Sequence, residues 1–293
     1  MLQRRLSSRS RAFWEGKLTH PSAYMHLLTI DSSYDTGSIG AVTEMPFFLA
    51  QVGDLSPIMR GITVAMIMLT GIFPAFFVGQ LAEKYGRLAI ISTGAFLFAI
   101  GSIMQAGAST LTVFNIGRAL CGLGMGTWLS TVFVYISEIA PSSRRAPLAA
   151  LPQLTTTFGI CAGYFTCYGS IHIQSNYSWR MPAIISAVLA GILTISCFFL
   201  PQSPRWLLWH NQRDKAIREM ERLDFNRIEA EKDFLGPAAA QRNQRPDTSF
   251  ASIAKIFKKE YRSQTGLALL YLGMCQLSGI DGVLYVSHGF LFI

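Results

Sequence analysis

Three ionisable residues, Asp35, Arg118 and Asp281, stand inside long apolar stretches of the chain. Charges so placed are costly in a membrane interior, and they mark either a functional pathway or a structural pair. An arginine close to Asp35 would keep the acid ionised, and protonating the acid would free Arg118 to rearrange. That is a two-state element which a proton could bias. The same two residues could instead form a static ion pair joining two helices. Glu44 stands near the expected outer end of the first apolar stretch.

The elements that must hold these charges follow from composition. The chain has 293 residues, 51% hydrophobic and only 14% charged, with a mean hydropathy of +0.34. Soluble domains carry about 25% charged residues. Here the charge is also clustered, with 13 of the 25 Lys and Arg between Arg205 and Arg262. A water-soluble globule, a disordered chain and a disulfide scaffold are excluded. A polytopic membrane protein built of helices remains, because lipid offers the backbone no hydrogen bonds. Seven stretches are long enough to cross, each needing about 20 apolar residues: 24–49, 59–81, 88–108, 112–137, 149–171, 181–200 and 264–292. The fourth and fifth are rich in small residues that let helices approach closely.

With the N-terminus in the cytoplasm, 22 of the 25 Lys and Arg fall on the inner side, as the positive-inside rule requires. Arg60 and Arg180 are expected in outer loops. The net charge of +8 thus describes orientation and contact with anionic lipid, and no nucleic-acid partner is expected. The basic start MLQRRLSSRSRAFWEGK reads as a cytoplasmic tail. Cys121, Cys161, Cys167, Cys197 and Cys275 all fall in expected spans, with no CxxC pair, and read as small buried hydrophobes. Asn176-Tyr177-Ser178 is a glycosylation sequon in an outer loop, read here as unmodified. Between Asp214 and Asp224, Ala216, Ile217, Met220 and Leu223 recur at helical spacing, an amphipathic helix under the bundle. No nucleotide loop, zinc-ligand spacing or nucleophile elbow is found. No enzyme, metal or cofactor is therefore expected.

Six motifs in order then resemble one family. SSYDTGSIG (Ser32–Gly40) is similar to the first-helix motif of the sugar-porter branch of the major facilitator superfamily. GQLAEKYGR (Gly79–Arg87) resembles its loop between helices two and three. GRALCGLGMG (Gly117–Gly126), VYISEIAPSSRR (Val134–Arg145) and Gln153 resemble its fourth-to-fifth helix signature. PQSPRWL (Pro201–Leu207) and QLSGID (Gln276–Asp281) resemble the motifs closing the sixth helix and lining the sugar site on the seventh. The likeness spans nearly the whole chain and is greatest to fungal members.

The resemblance implies an all-α fold of two six-helix halves, with the substrate site between them at mid-membrane and alternating access by rocking. On that pattern, residues 1–22 are a cytoplasmic tail and 23–200 the first six-helix half. Residues 201–262 are a cytoplasmic linker with amphipathic helices, and 263–293 a seventh helix, after which the chain is expected to be truncated. The implied activity is carbohydrate:proton symport across the plasma membrane, with a sugar or related small polar substrate, a proton and the bilayer as partners. Asp35 and Arg118 match the proton-coupling pair. Gln153, Gln276, Asp281 and Tyr285 match substrate positions, where amides suit sugars because they both donate and accept. Glu83, Arg87, Glu138, Arg145 and Arg205 match a cytoplasmic charge cluster that holds the inner side shut. Alternatives are a family member carrying another polyol, organic acid or secondary metabolite, and a non-transporting half that self-associates.

Several positions depart from the family pattern: Glu83 replaces an Asp, Gln202 a Glu, Cys275 a Gln, Asp281 an Asn and Val286 a Tyr. The acid at 281 and the lost amide at 275 weaken the expectation of a glucose-type substrate. Phe73, Phe76, Phe77, Phe96 and Phe98 are expected to face lipid or pack, and Trp128 to pack. Trp14, Trp179, Trp206 and Trp209 are expected at membrane interfaces. Gly117, Gly122, Gly124 and Gly126 are expected to permit close helix contact.

Overall fold

The structure, a computed structural model, describes residues 33–140, 145–223, 225 and 262–279, and every regular element among them is helical. Helix α1 covers 33–42 and turns at Thr43 and Glu44 into the short α2, Pro46–Val52. Helix α3, Pro57–Tyr85, starts with Pro57 in its first turn, where a missing N–H costs nothing, and the Ser56 hydroxyl accepts from the Met59 amide. At its other end Gly86 takes φ 94°, a left-handed value that glycine reaches without a Cβ clash. The chain reverses there into α4, Arg87–Ala106. Helix α5, Leu111–Ile139, is capped by the Thr110 hydroxyl, which accepts from the Val113 amide. Then follow α6, Arg145–Ser170, and α7, Tyr177–Ser196. Two short helices, α8 (Pro204–Trp209) and α9 (Arg213–Arg222), precede α10, Arg262–Leu277.

Four of these helices, α3, α4, α5 and α7, are each long and apolar enough to cross a membrane. Helix α6 has 26 residues, enough length, but its Gln153, Thr155, Thr156, Thr157 and Thr166 make it too polar for that group. Where α6 carries Pro152, the Thr155 hydroxyl donates to the Leu151 and Pro152 carbonyls, one way a membrane helix absorbs a proline. The expected amphipathic helix appears as α9. Its Ala216 and Met220 pack on Leu207 of α8, and Leu223 reaches the bundle core.

Close packing around α5 sets the architecture. Any Cβ placed on Gly122 or Gly126 would overlap the α3 backbone at Ile67 and Gly71, and one on Gly124 would lie 2.6 Å from the Gly94 carbonyl of α4. Gly117 meets Gly101 and Gln105 of α4 in the same way. Helix α1 is seated on α6 through Gly37 against Ile160 and Gly163 against Tyr34. In lipid such small-residue seams supply the van der Waals contact that holds helices together. The outward faces are apolar instead: Leu69, Ile72, Phe73 and Phe76 on α3, and Val188, Ile192 and Ile195 on α7, are exposed.

One aromatic expectation needs correcting. Trp179 is 1% exposed, locked edge-on between Phe48 and Phe114 at 5.3 and 6.3 Å. It is a core residue, because α2 folds back over the start of α7. Trp206 is only partly buried, but its indole N–H is tied to the Glu83 carbonyl at 2.7 Å. Trp128 is fully buried in the core cluster with Ile91, Val132 and Leu193, and Phe98 is buried while Phe96 is exposed. Cys121, Cys167 and Cys197 are buried; Cys161 is exposed on α6, contrary to the expectation for it. The side chain of Cys275, and all of Trp14, lie outside the described residues.

Candidate functional site

Arg118 lies one helical turn before Gly122 on the α5 face that meets α3, so the close approach of the two backbones buries it. Its guanidinium is 1% exposed, and Nη1 donates to the Asp35 carboxylate at 2.7 Å. Nη2 donates to the Val64 carbonyl of α3 at 3.2 Å. Asp35 is brought in on α1, whose position is set by the glycine seam with α6. Three helices thus converge on one buried ion pair. Neither charge could sit there alone, since an unpaired buried ion costs several kcal/mol. The arrangement can therefore hold two states: paired ions, or a neutral acid beside an arginine that must find other acceptors.

A second charged group lies at the opposite end of the bundle, where α3 turns into α4. Arg87 donates to both Glu138 oxygens, from Nε at 3.0 Å and Nη2 at 2.9 Å, and from Nη1 to the Ala82 carbonyl at 3.2 Å. Ser203 completes the set, donating to Glu138 at 2.6 Å. The Tyr135 hydroxyl donates to the Pro201 carbonyl at 2.5 Å. Through Ser203, Pro201 and Trp206, the segment after α7 is pinned to the α3–α4 corner and the end of α5. The indole of Trp206 lies 3.5 Å from where a Cβ on Gly86 would be.

The remaining expected site residues fall as follows. Glu83 enters this network through its backbone carbonyl rather than its carboxylate. Arg205 is exposed on α8 and takes no part in the Arg87–Glu138 set. Arg145 begins α6, but its side chain is outside what the structure describes, as is that of Gln276 on α10. Asp281 and Tyr285 lie outside the described residues. Gln153 is exposed on α6, in line with Thr157 one turn on.

Three contributors were not anticipated. Arg60 is in the first turn of α3 and pairs with Glu44 across the α1–α2 turn. Arg180, also expected in a loop, is in the first turn of α7, donating to Ala108 carbonyl at 3.2 Å and stacking on Trp179. Ser203 has no signal as a ligand in sequence beyond standing before Pro204, where it also caps α8. A proline at a helix start does mark the preceding Ser as a cap, but nothing local says that its proton goes to Glu138.

A family model described as "Sugar (and other) transporter" matches residues 25–291. Relatives include the MFS-type transporter criB of Aspergillus cristatus, 30% identical over 86% of this chain and 55% of its own length. The glucose transporter GlcP of Staphylococcus epidermidis is 34% identical over 69% of this chain and 44% of its own length. The arabinose-proton symporter of Bacillus subtilis is 30% identical, with 86% and 54% covered. The chain therefore spans about half the length of the curated relatives it matches. In fold it resembles the inward-open xylose transporter XylE from E. coli, with a TM-score of 0.70 at 20% identity over 91% of this chain and 62% of that one. The match across nearly the whole chain, on a bundle of apolar helices, places this protein in the sugar (and other) transporter family of membrane proteins.

Proposed function

We propose that the protein acts as a secondary transporter of the sugar-porter type, coupling carbohydrate movement to a proton by alternating access. The observation that carries this reading is the buried Asp35–Arg118 pair at 2.7 Å. A proton arriving at Asp35 cancels its charge and removes the main attraction for Arg118, which loosens α1 from α5. Relatives named as an arabinose-proton symporter and an H(+)/hexose cotransporter support the same coupling.

In this reading the N-terminus is cytoplasmic, the membrane is the plasma membrane, and the Arg87–Glu138–Ser203 set lies on the inner side. That set, with Arg145 and Arg205 from its surroundings, holds the inner ends of the helices together when the site faces outward. Gln153, Gln276, Asp281 and Tyr285 bind the substrate, and the exposed face of α6 lines its cavity. Residues 23–200 form the first half of the transporter, 201–262 the linker and 263–293 the seventh span. The acid at Asp281 favours a second reading, in which the same machinery carries another polyol or a metabolite that can donate several hydrogen bonds to a carboxylate.

The test uses the longest natural form of the protein in proteoliposomes. With a panel of labelled hexoses, pentoses and polyols under an imposed proton gradient, Asp35→Asn is expected to abolish uphill accumulation while exchange at equal concentrations persists. Undiminished proton-driven accumulation by that variant would overturn the coupling role.

A further inference from the structure

Helices α3 and α5 run parallel with a constant offset of 55 residues: Gly71 lies against Gly126, and Ile67 against Gly122. One turn further along, the same register sets Thr63 against Arg118, consistent with the bond from Arg118 to the adjacent Val64 carbonyl. Asn115 is three residues before Arg118 and so shares its face of α5. Around Arg118 the seam holds three buried polar atoms that have no hydrogen-bond partner, Arg118 Nε, Thr63 Oγ1 and Asn115 Oδ1, and a turn away, opposite Asn115 in the same register, Arg60 Nε is a fourth. Thr63 is 0% and Arg118 1% exposed.

Leaving three such atoms unmade is expensive, at about 1–3 kcal/mol for each, and native interiors answer this with ordered water. Arg118 Nε is a donor, Asn115 Oδ1 an acceptor, and the Thr63 hydroxyl can do either. A water molecule matches that set, accepting from Arg118 Nε and donating to Thr63 Oγ1 and Asn115 Oδ1. Internal waters typically make two to four such bonds.

We infer that a water molecule is bound in the α3–α5 seam by Arg118 Nε, Thr63 Oγ1 and Asn115 Oδ1, and that it keeps Arg118 hydrogen-bonded when Asp35 takes up a proton. The binding site rests on the register of α3 against α5 and on the three unpartnered atoms, while its second role rests on the proton switch proposed above. Arg118 then has acceptors on both sides. When the carboxylate is neutralised, the guanidinium does not become a bare cation in a low-dielectric interior. Other titratable groups around the pair are Tyr34 on α1, Cys167 on α6 and Cys121 on α5, with Glu44–Arg60 a turn away. Helix α4 presents the neutral Ser102 and Gln105 to Cys121, and α7 brings Arg180 only at the Glu44–Arg60 end. None of these supplies an acceptor to Arg118 Nε.

Two measurements test this. A structure of the protein at a resolution that shows ordered solvent is expected to place water within hydrogen-bond distance of all three atoms. Direct bonds from Arg118 Nε to protein atoms, with no solvent between α3 and α5, would overturn the site. For the role, infrared titration follows the protonated-carboxyl band of Asp35, identified by its loss in Asp35→Asn. Thr63→Val keeps the shape and removes the hydroxyl, so it is expected to move the midpoint to lower pH by about one unit, a tenfold change in the proton concentration required. Thr63→Ser is expected to restore it. A band that titrates identically in wild type and Thr63→Val would overturn the water's role and leave the switch standing. A band that never titrates would overturn the switch and with it the water's role, leaving the site itself to be decided by the solvent density.

Discussion

Glu138 holds Arg87 with both carboxylate oxygens and takes a third hydrogen bond from Ser203, so one acid near the end of α5 joins α4 to the segment that follows α7. Because the pair is almost fully buried, its two charges depend on each other.

Replacing Glu138 by Ala strands the Arg87 guanidinium in the interior. The expected loss is about 3–5 kcal/mol, the usual result of removing one partner of a buried ion pair. Thermal unfolding in detergent measures it. Ser203→Ala removes one bond to a charged group and should cost only about 1.5–3 kcal/mol, so a drop as large as that of Glu138→Ala would contradict this hierarchy.

At the other buried pair the two residues should be coupled rather than additive. Asp35→Asn and Arg118→Gln are each expected to destabilise the protein, and the double variant to be less harmed than their sum by about 0.5–3 kcal/mol. A double-mutant cycle on melting temperature and denaturant midpoint tests this. Additive effects would mean that the 2.7 Å contact contributes nothing.

Gly126→Leu is expected to prevent correct assembly, because any Cβ there overlaps the Gly71 backbone of α3. Gly191 on α7 has open space where its Cβ would be, so Gly191→Ala should be neutral or slightly favourable, since glycine is a poor helix residue by about 0.8–1.0 kcal/mol. Expression level and size-exclusion behaviour of the two variants distinguish the packed glycine from the free one.

Trp179→Ala empties the centre of the aromatic cluster with Phe48 and Phe114 and should cost about 3–5 kcal/mol. Trp206→Phe keeps the ring against Gly86 but loses the bond to the Glu83 carbonyl, an expected loss of about 0.5–1.5 kcal/mol. Equal effects from the two substitutions would show that Trp179 is not the core residue its burial indicates.

Much of this architecture was legible in sequence, for a physical reason. Spanning helices must be apolar and continuous, so composition alone marked α3, α4, α5 and α7 to within a few residues at most of their ends. Small residues in α5 announced close approach. Asp35 and Arg118 stood out because a lipid interior makes isolated charge expensive, which leaves pairing as the natural outcome. The amphipathic α9 was visible in the spacing of Ala216, Met220 and Leu223.

Other features required the third dimension. That Gly126 meets Gly71 and Gly124 meets Gly94 depends on the rotation of each helix about its axis, which no single helix encodes. Trp179 looked like an interface residue until α2 folded over it, and Arg60 and Arg180 looked like loop charges until helices α3 and α7 began early enough to include them. Ser203 gains its role only because the chain after α7 returns to Glu138, 65 residues away in sequence. Amino-acid type and spacing thus determined which four of the described helices are apolar enough to cross a membrane, and that Asp35 and Arg118 stand in apolar stretches as charges needing partners. The tertiary structure alone decided the partners, because register and rotation between helices arise from packing many side chains at once.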